Sequence, residues 1–167
     1  MGQIHLMGSF KSAFEKNEIK ISQILLTLDD TEQRRRSINA RRTIDTLLKL
    51  GIVPVVNEND TIATSEIRYG DNDRLASRVA QITSADCLIL LSNINGLYSA
   101  DPSTDEDVKL INKVSEIDKD IEKMIGQSIS DYGKGGMKTK IQAAKTAMLS
   151  GCHLACLLYT SDAADDA

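Results

Sequence analysis

With 167 residues, 41% of them hydrophobic and 26% charged, the chain has the composition of one globular domain able to bury its own core. Its 24 acidic side chains outnumber the 20 basic ones and leave a formal charge of −4, which argues against a nucleic-acid partner held by a general basic field. No apolar run approaches the roughly 20 residues of a membrane span, and the N-terminus lacks an apolar signal core, so a cytoplasmic protein with no membrane partner is expected.

Apolar residues at Ile4, Leu6, Met7, Phe10, Ala13 and Phe14 predict a helix over Gly2 to Asn17, with no strand ahead of it. Ile19 to Leu26 reads as a strand. Thr27 and Asp29 to Thr31 then supply cap chemistry for a short charged helix over Glu32 to Arg36, whose arginines form a solvated face. Asn39 is placed to cap the next helix, where Ala40, Ile44, Leu47 and Leu48 share one stripe and Gly51 ends it as a C′ glycine.

A β-branched strand from Ile52 to Val56 follows at once and stops at a cluster of amides and carboxylates, Asn57 to Asp60. After a loop, Gly70, Asp71, Asn72 and Asp73 stand just before a helical pattern carried by Leu75, Val79 and Ile82. Turn formers and an N-cap would explain either cluster alone. Two clusters bracketing one loop, after a strand and before a helix, point instead to a ligand at the carboxyl edge of an open α/β sheet. Asp73 falls in the first helical turn, where the macrodipole favours a carboxylate.

Cys87 to Leu91 is a continuous apolar run, the pattern of a strand buried on both faces of a parallel sheet, and it ends at Ser92 and Asn93. The loop NINGLYSADPSTDED is too long to be a mere connector. Ile117 to Ile125 suggests another short helix. Gly133, Gly135 and Gly136 then precede a helix marked by Ile141, Ala144 and Met148 that stops at Gly151. Lys134, Lys138 and Lys140 crowd its start. Any one of them reads as a surface side chain, but three cations at a helix N-terminus oppose the macrodipole unless an anion is bound. With glycine-rich backbone beside them, phosphate binding is the better reading. GGMKTK is no Walker A loop, because Met137 stands where its last glycine belongs and no strand precedes it.

The odd cysteine count, Cys87, Cys152 and Cys156, suits reduced structural thiols. Cys152, His153 and Cys156 lack a fourth ligand at a familiar metal spacing, so no metal site is expected. From Leu157 the chain turns small and acidic, and 157–167 is expected to be a disordered or non-native tail.

Three stretches, PVVNENDTIATSEIRYGDND, LILLSNINGLYSADP and GKGGMKTKIQAA, resemble the glutamate 5-kinase branch of the amino acid kinase family, in order from about Gly2 to about Leu154. The resemblance implies a three-layer αβα sandwich with a mainly parallel sheet, filled here by a partial kinase domain over 1–156. It implies ATP-dependent phosphorylation of the γ-carboxylate of L-glutamate, with ATP and Mg²⁺, as the first step towards proline. By position, Asp60 and Asn72 would bind glutamate, and Asp73 would orient catalytic lysines. Ser92 and Asn93 would meet the nucleotide. Lys134, Gly135, Gly136, Met137, Lys138, Thr139 and Lys140 would wrap ATP, with Lys140 stabilising the moving phosphoryl group. Homo-oligomerisation of a full-length protein and feedback inhibition by proline are further family expectations.

Some family features have no match. Ser92 and Asn93 replace a common Thr and Asp pair. The family's opening strand, with a glycine-rich loop and another catalytic lysine, has no counterpart, so the chain reads as an N-terminally truncated fragment, inactive alone. Two other readings are a kinase of the same family acting on aspartate, acetylglutamate or uridine monophosphate, and a module that binds nucleotide or glutamate without chemistry. A different substrate loop would mark the first, and binding without turnover the second.

Overall fold

The structure is a computed structural model that describes residues 2–59, 72–92, 96–99, 108–119, 121 and 134–158. Two units, Met1–Leu75 and Ala76–Ala167, each hold their own parallel strand pair.

In the first unit, α1 (Gly2–Glu15) leads through a tight turn, where the Ile19 N–H donates to the Phe14 carbonyl at 3.1 Å, into β1 (Lys20–Leu26). The predicted charged helix is shifted. Helix α2 covers Leu28–Glu32 and α3 covers Arg34–Lys49, with Gln33 extended between them at ψ 119°. The reason lies at Thr27, whose N–H and hydroxyl both donate to the Asp30 carboxylate, so the first helical turn begins at Leu28. Asn39 is therefore inside α3 and caps nothing; its carbonyl accepts the Thr43 hydroxyl. Arg36 leans back on Asp29 and Asp30 at 3.7 and 3.6 Å, exposed pairs that contribute little. Ile44 carries the buried stripe of α3. Helix α3 ends as expected, with Gly51 at φ +69°, and β2 (Ile52–Glu58) starts on the next residue. β1 and β2 pair in parallel from Lys20 opposite Ile52 to Leu26 opposite Glu58, a strand–helix–strand crossover.

Helix α4 (Asn72–Thr83) starts in the first unit and carries residues 76–83 into the second. There β3 (Cys87–Ser92) pairs in parallel with β6 (His153–Leu158). Between them come the short antiparallel partners β4 (Leu97–Tyr98) and β5 (Leu110–Ile111) and the long helix α5 (Lys134–Leu149). Ala80 of α4, Ala147 of α5 and Cys152 form the core against Ala85, Leu88 and Leu154. Small side chains let both helices approach the sheet closely.

Expected to be buried on both faces, β3 is instead buried on one. Leu90 and Ser92 are buried, while Ile89 and Leu91 are 56% and 65% exposed. Among the described residues, α4 and α5 pack on the Leu88 face, and period-2 alternation of side chains turns Ile89 and Leu91 to the other. The loop after Ser92 also holds more structure than its composition suggested: Ser99 and Lys109 extend the β4–β5 pair, the Ser99 N–H donating to the Lys109 carbonyl at 2.9 Å. The helix expected over Ile117 to Ile125 lies mostly outside the described residues, although the Asp118 carboxylate accepts the Ile121 N–H at 2.9 Å, as a helix cap does. β6 continues through Leu157 and Leu158. Residues 159–167 lie outside the described set. Among the described residues, no helix is long and apolar enough to cross a membrane.

Candidate functional site

The two clusters of the first unit are reached by β2 and α4. β2 delivers Asn57 and Glu58 to its carboxyl end, where the Asn59 N–H donates to the Leu26 carbonyl at 2.9 Å and the Asn57 side-chain oxygen accepts the Glu58 N–H at 2.9 Å. Asp60, the first of the candidate glutamate ligands, lies outside the described residues, as does the loop to Asp71. Asn72 is the first residue of α4 and exposed; Asp73 is half-buried in its first turn, as predicted from the sequence. The dipole of that turn favours a carboxylate whatever else it does.

In the second unit, Ser92 is buried at the end of β3, and Asn93 lies outside the described residues. The lysine segment differs from expectation in one respect. Helix α5 begins at Lys134, so Gly135 and Gly136 are part of its first turn instead of a loop ahead of it. That turn has no intrahelical partners for its N–H groups, so glycine there forfeits little. The consequence is a sorting of the lysines. Residues two apart on a helix point to different sides, and Lys138 is exposed while Lys140 turns inward. Thr139 is half-buried between them.

Met137, Lys140, Ile141, Ala144 and Met148 form one stripe of α5 that lines a cavity of about 500 Å³. The facing walls come from Leu97, Leu110, Ile111 and Val114 around the β4–β5 pair, and from Leu154 and Cys156 of β6. Asn112 and Lys113, which the sequence reading did not single out, also reach it. Their only signal was proximity to a two-residue strand, too short for periodicity to register. The structure thus brings Met137 and Lys140 together at one mostly apolar cavity, whose lining also includes Lys113. Such a cavity can take a flat apolar group while the ammonium meets an anion.

The three cysteines are free thiols: Cys87 is exposed, Cys152 buried and Cys156 half-buried. Burial pushes the Cys152 thiol up from its usual 9.0, and Cys87 and Asp86 add to the shift.

Parallel strand pairs joined through helices, with Lys140 of α5 at a cavity of the second unit, define an α/β protein. The chain belongs to the amino acid kinase family, whose model matches residues 1–157. Among the relatives it resembles, the glutamate 5-kinase of Pelagibacter ubique is 65% identical over 92% of this chain. Those of Paramagnetospirillum magneticum and Rhizobium etli are 56% and 57% identical over the same share. The chain spans only 40–42% of the length of these curated relatives. A solved isopentenyl phosphate kinase shares the fold, with a TM-score of 0.58 and 16% identity, covering 92% of this chain and 57% of that one.

Proposed function

We propose that this chain is the part of a glutamate 5-kinase that carries the substrate loop and the nucleotide-binding lysine helix. The reading rests on one observation above the others: 65% identity to a glutamate 5-kinase extends over 92% of the chain. In the reaction, a γ-carboxylate oxygen of L-glutamate attacks the γ-phosphorus of ATP, the bond from that phosphorus to the bridging oxygen breaks, and ADP leaves with the electron pair. Such transfer needs in-line positioning and neutralisation of charge on the moving oxygens.

Asp60 and Asn72 are assigned to glutamate, through its amino group and a carboxylate respectively, and Asp73 to orienting the lysines. Ser92, Asn93 and residues 134–140 are assigned to ATP, with Lys140 on the transferring phosphoryl group. The inward turn of Lys140 at the cavity supports that role, whereas exposed Lys138 suits an outer phosphate. Magnesium binds through nucleotide phosphates and one or two carboxylates, so a cage of three ligands is not needed, and the described residues contain none. A cytoplasmic setting, the place in proline formation, oligomerisation and proline inhibition belong to the same reading.

The test is calorimetric titration of the purified chain with Mg²⁺ and a non-hydrolysable ATP analogue, then with L-glutamate, alongside a circular dichroism melt. Saturable binding of both with a cooperative melt is the expected result. A cooperative melt without binding of either ligand would overturn the reading for this chain.

A further inference from the structure

Among the described residues, the cavity of the second unit is lined by two lysines and by no carboxylate. In a chain whose 24 acidic side chains outnumber its 20 basic ones, that is a local reversal of sign. Lys140 comes from α5, and Lys113 comes from the wall facing it, just beyond the end of β5 at Ile111. Lys113 is exposed, and among the described residues its ammonium makes no ion pair. Two ammonium groups at one cavity raise its potential, and with no carboxylate in the lining an anion is what lowers it. The apolar side chains around them, Leu110, Ile111 and Val114 on one wall and Ile141 and Met148 on the other, add a second demand, for a ligand with an apolar part. A nucleotide meets both demands, with its base against the apolar lining and its phosphates at the lysines.

We propose that Lys113 is a nucleotide-binding residue that meets the phosphate chain from the wall opposite α5, a role that rests on the functional reading above. That reading takes its cations from residues 134–140 alone. A lysine ammonium carries three donors and no acceptor, and its flexible four-carbon stem lets it reach a phosphate from the rim of a cavity. Since no ion pair among the described residues depends on Lys113, its replacement should change nucleotide affinity and leave stability as it was.

The experiment titrates this chain and its Lys113→Met, Lys113→Arg and Lys119→Met variants with the Mg²⁺ complex of a non-hydrolysable ATP analogue, and melts each of them. Methionine keeps an apolar stem without the charge, and arginine keeps the charge. Lys119 is an exposed lysine of the same unit that does not line the cavity, so its replacement makes the same change in net charge. Lys113→Met should lose about fivefold to tenfold in affinity for the analogue, near the lower end for a hydrogen bond to a charged group because the site is exposed. Its affinity should also fall less steeply with added salt than that of the parent. Lys113→Arg should keep most of the affinity, Lys119→Met all of it, and all four chains should melt alike. Equal affinities of Lys113→Met and Lys119→Met overturn the inference, and so does a loss that Lys113→Arg shares in full, which would mark a role in shape instead of charge. If the parent chain itself binds no nucleotide, the functional reading fails and the inference with it; if the parent and Lys113→Met bind alike, only the inference fails.

Discussion

The Asp30 carboxylate accepts two hydrogen bonds from Thr27, one from its N–H and one from its hydroxyl, each 2.7 Å long to the same oxygen. The Asp30 N–H returns one to the Thr27 carbonyl at 3.1 Å. Thr27 is buried just after β1, and these bonds turn the chain from strand to helix at a site partly shielded from water. Asp30→Ala should destabilise the protein by about 1–2 kcal/mol, the usual worth of a lost helix cap. Because both Thr27 donors share one acceptor, Thr27→Ala combined with Asp30→Ala should cost less than the two singles added. Denaturant melts of the three variants check this.

Two glycines separate backbone strain from crowding. At Gly51 the backbone has φ +69° and an added Cβ would meet nothing within 4 Å among the described residues, so Gly51→Ala should cost about 1–2 kcal/mol from conformation. At Gly96, φ is +146° and the Cβ would come within 2.9 Å of the Leu110 side chain. Gly96→Ala should therefore be the more damaging change, and Leu110→Ala should relieve part of it. Thermal melts of the single and double variants read the difference.

The raised pKa of Cys152 gives a pH dependence of definite sign. The folded protein keeps a thiol proton that the unfolded chain releases, so this contribution is complete below pH 9.0 and declines as pH rises through the higher folded value. Melting temperature followed from neutral to alkaline pH should fall more steeply for the parent than for Cys152→Ala. Equal slopes would show that the thiol is not protected.

For a full-length protein carrying this sequence, Lys140→Ala should lower turnover by about 10²-fold or more while changing glutamate affinity little, as expected for a group acting on developing charge. Asp60→Ala should chiefly raise the KM for glutamate. Initial-rate kinetics with varied glutamate distinguish the two, and small equal effects on turnover would contradict both assignments.

Legibility in the sequence followed the strength of local signals. The C-terminal part of helix α3, strand β2, the start of α4 and the left-handed Gly51 were readable because apolar periodicity and turn or cap residues agreed there. The boundary between α2 and α3 was not, because Thr27, Asp29, Asp30 and Asn39 all have cap chemistry, and only the bonds of Thr27 to Asp30 decide among them. β4 and β5 escaped notice because two residues carry no period. The three lysines of GKGGMKTK were legible as a group, yet their separate directions depended on the helix starting at Lys134.

By itself, then, the sequence determined the α/β order of elements, the polar clusters at the end of β2 and the start of α4, and the glycine–lysine segment. These are local properties, set by side-chain period and by the turn and cap preferences of neighbouring residues. Only the tertiary structure decided that β3 is covered on one face, that Lys140 faces a cavity while Lys138 faces solvent, and that Gln3 reaches the Glu58 carbonyl. Each of these depends on which elements pack together, a relation between residues far apart in the chain that no local pattern encodes.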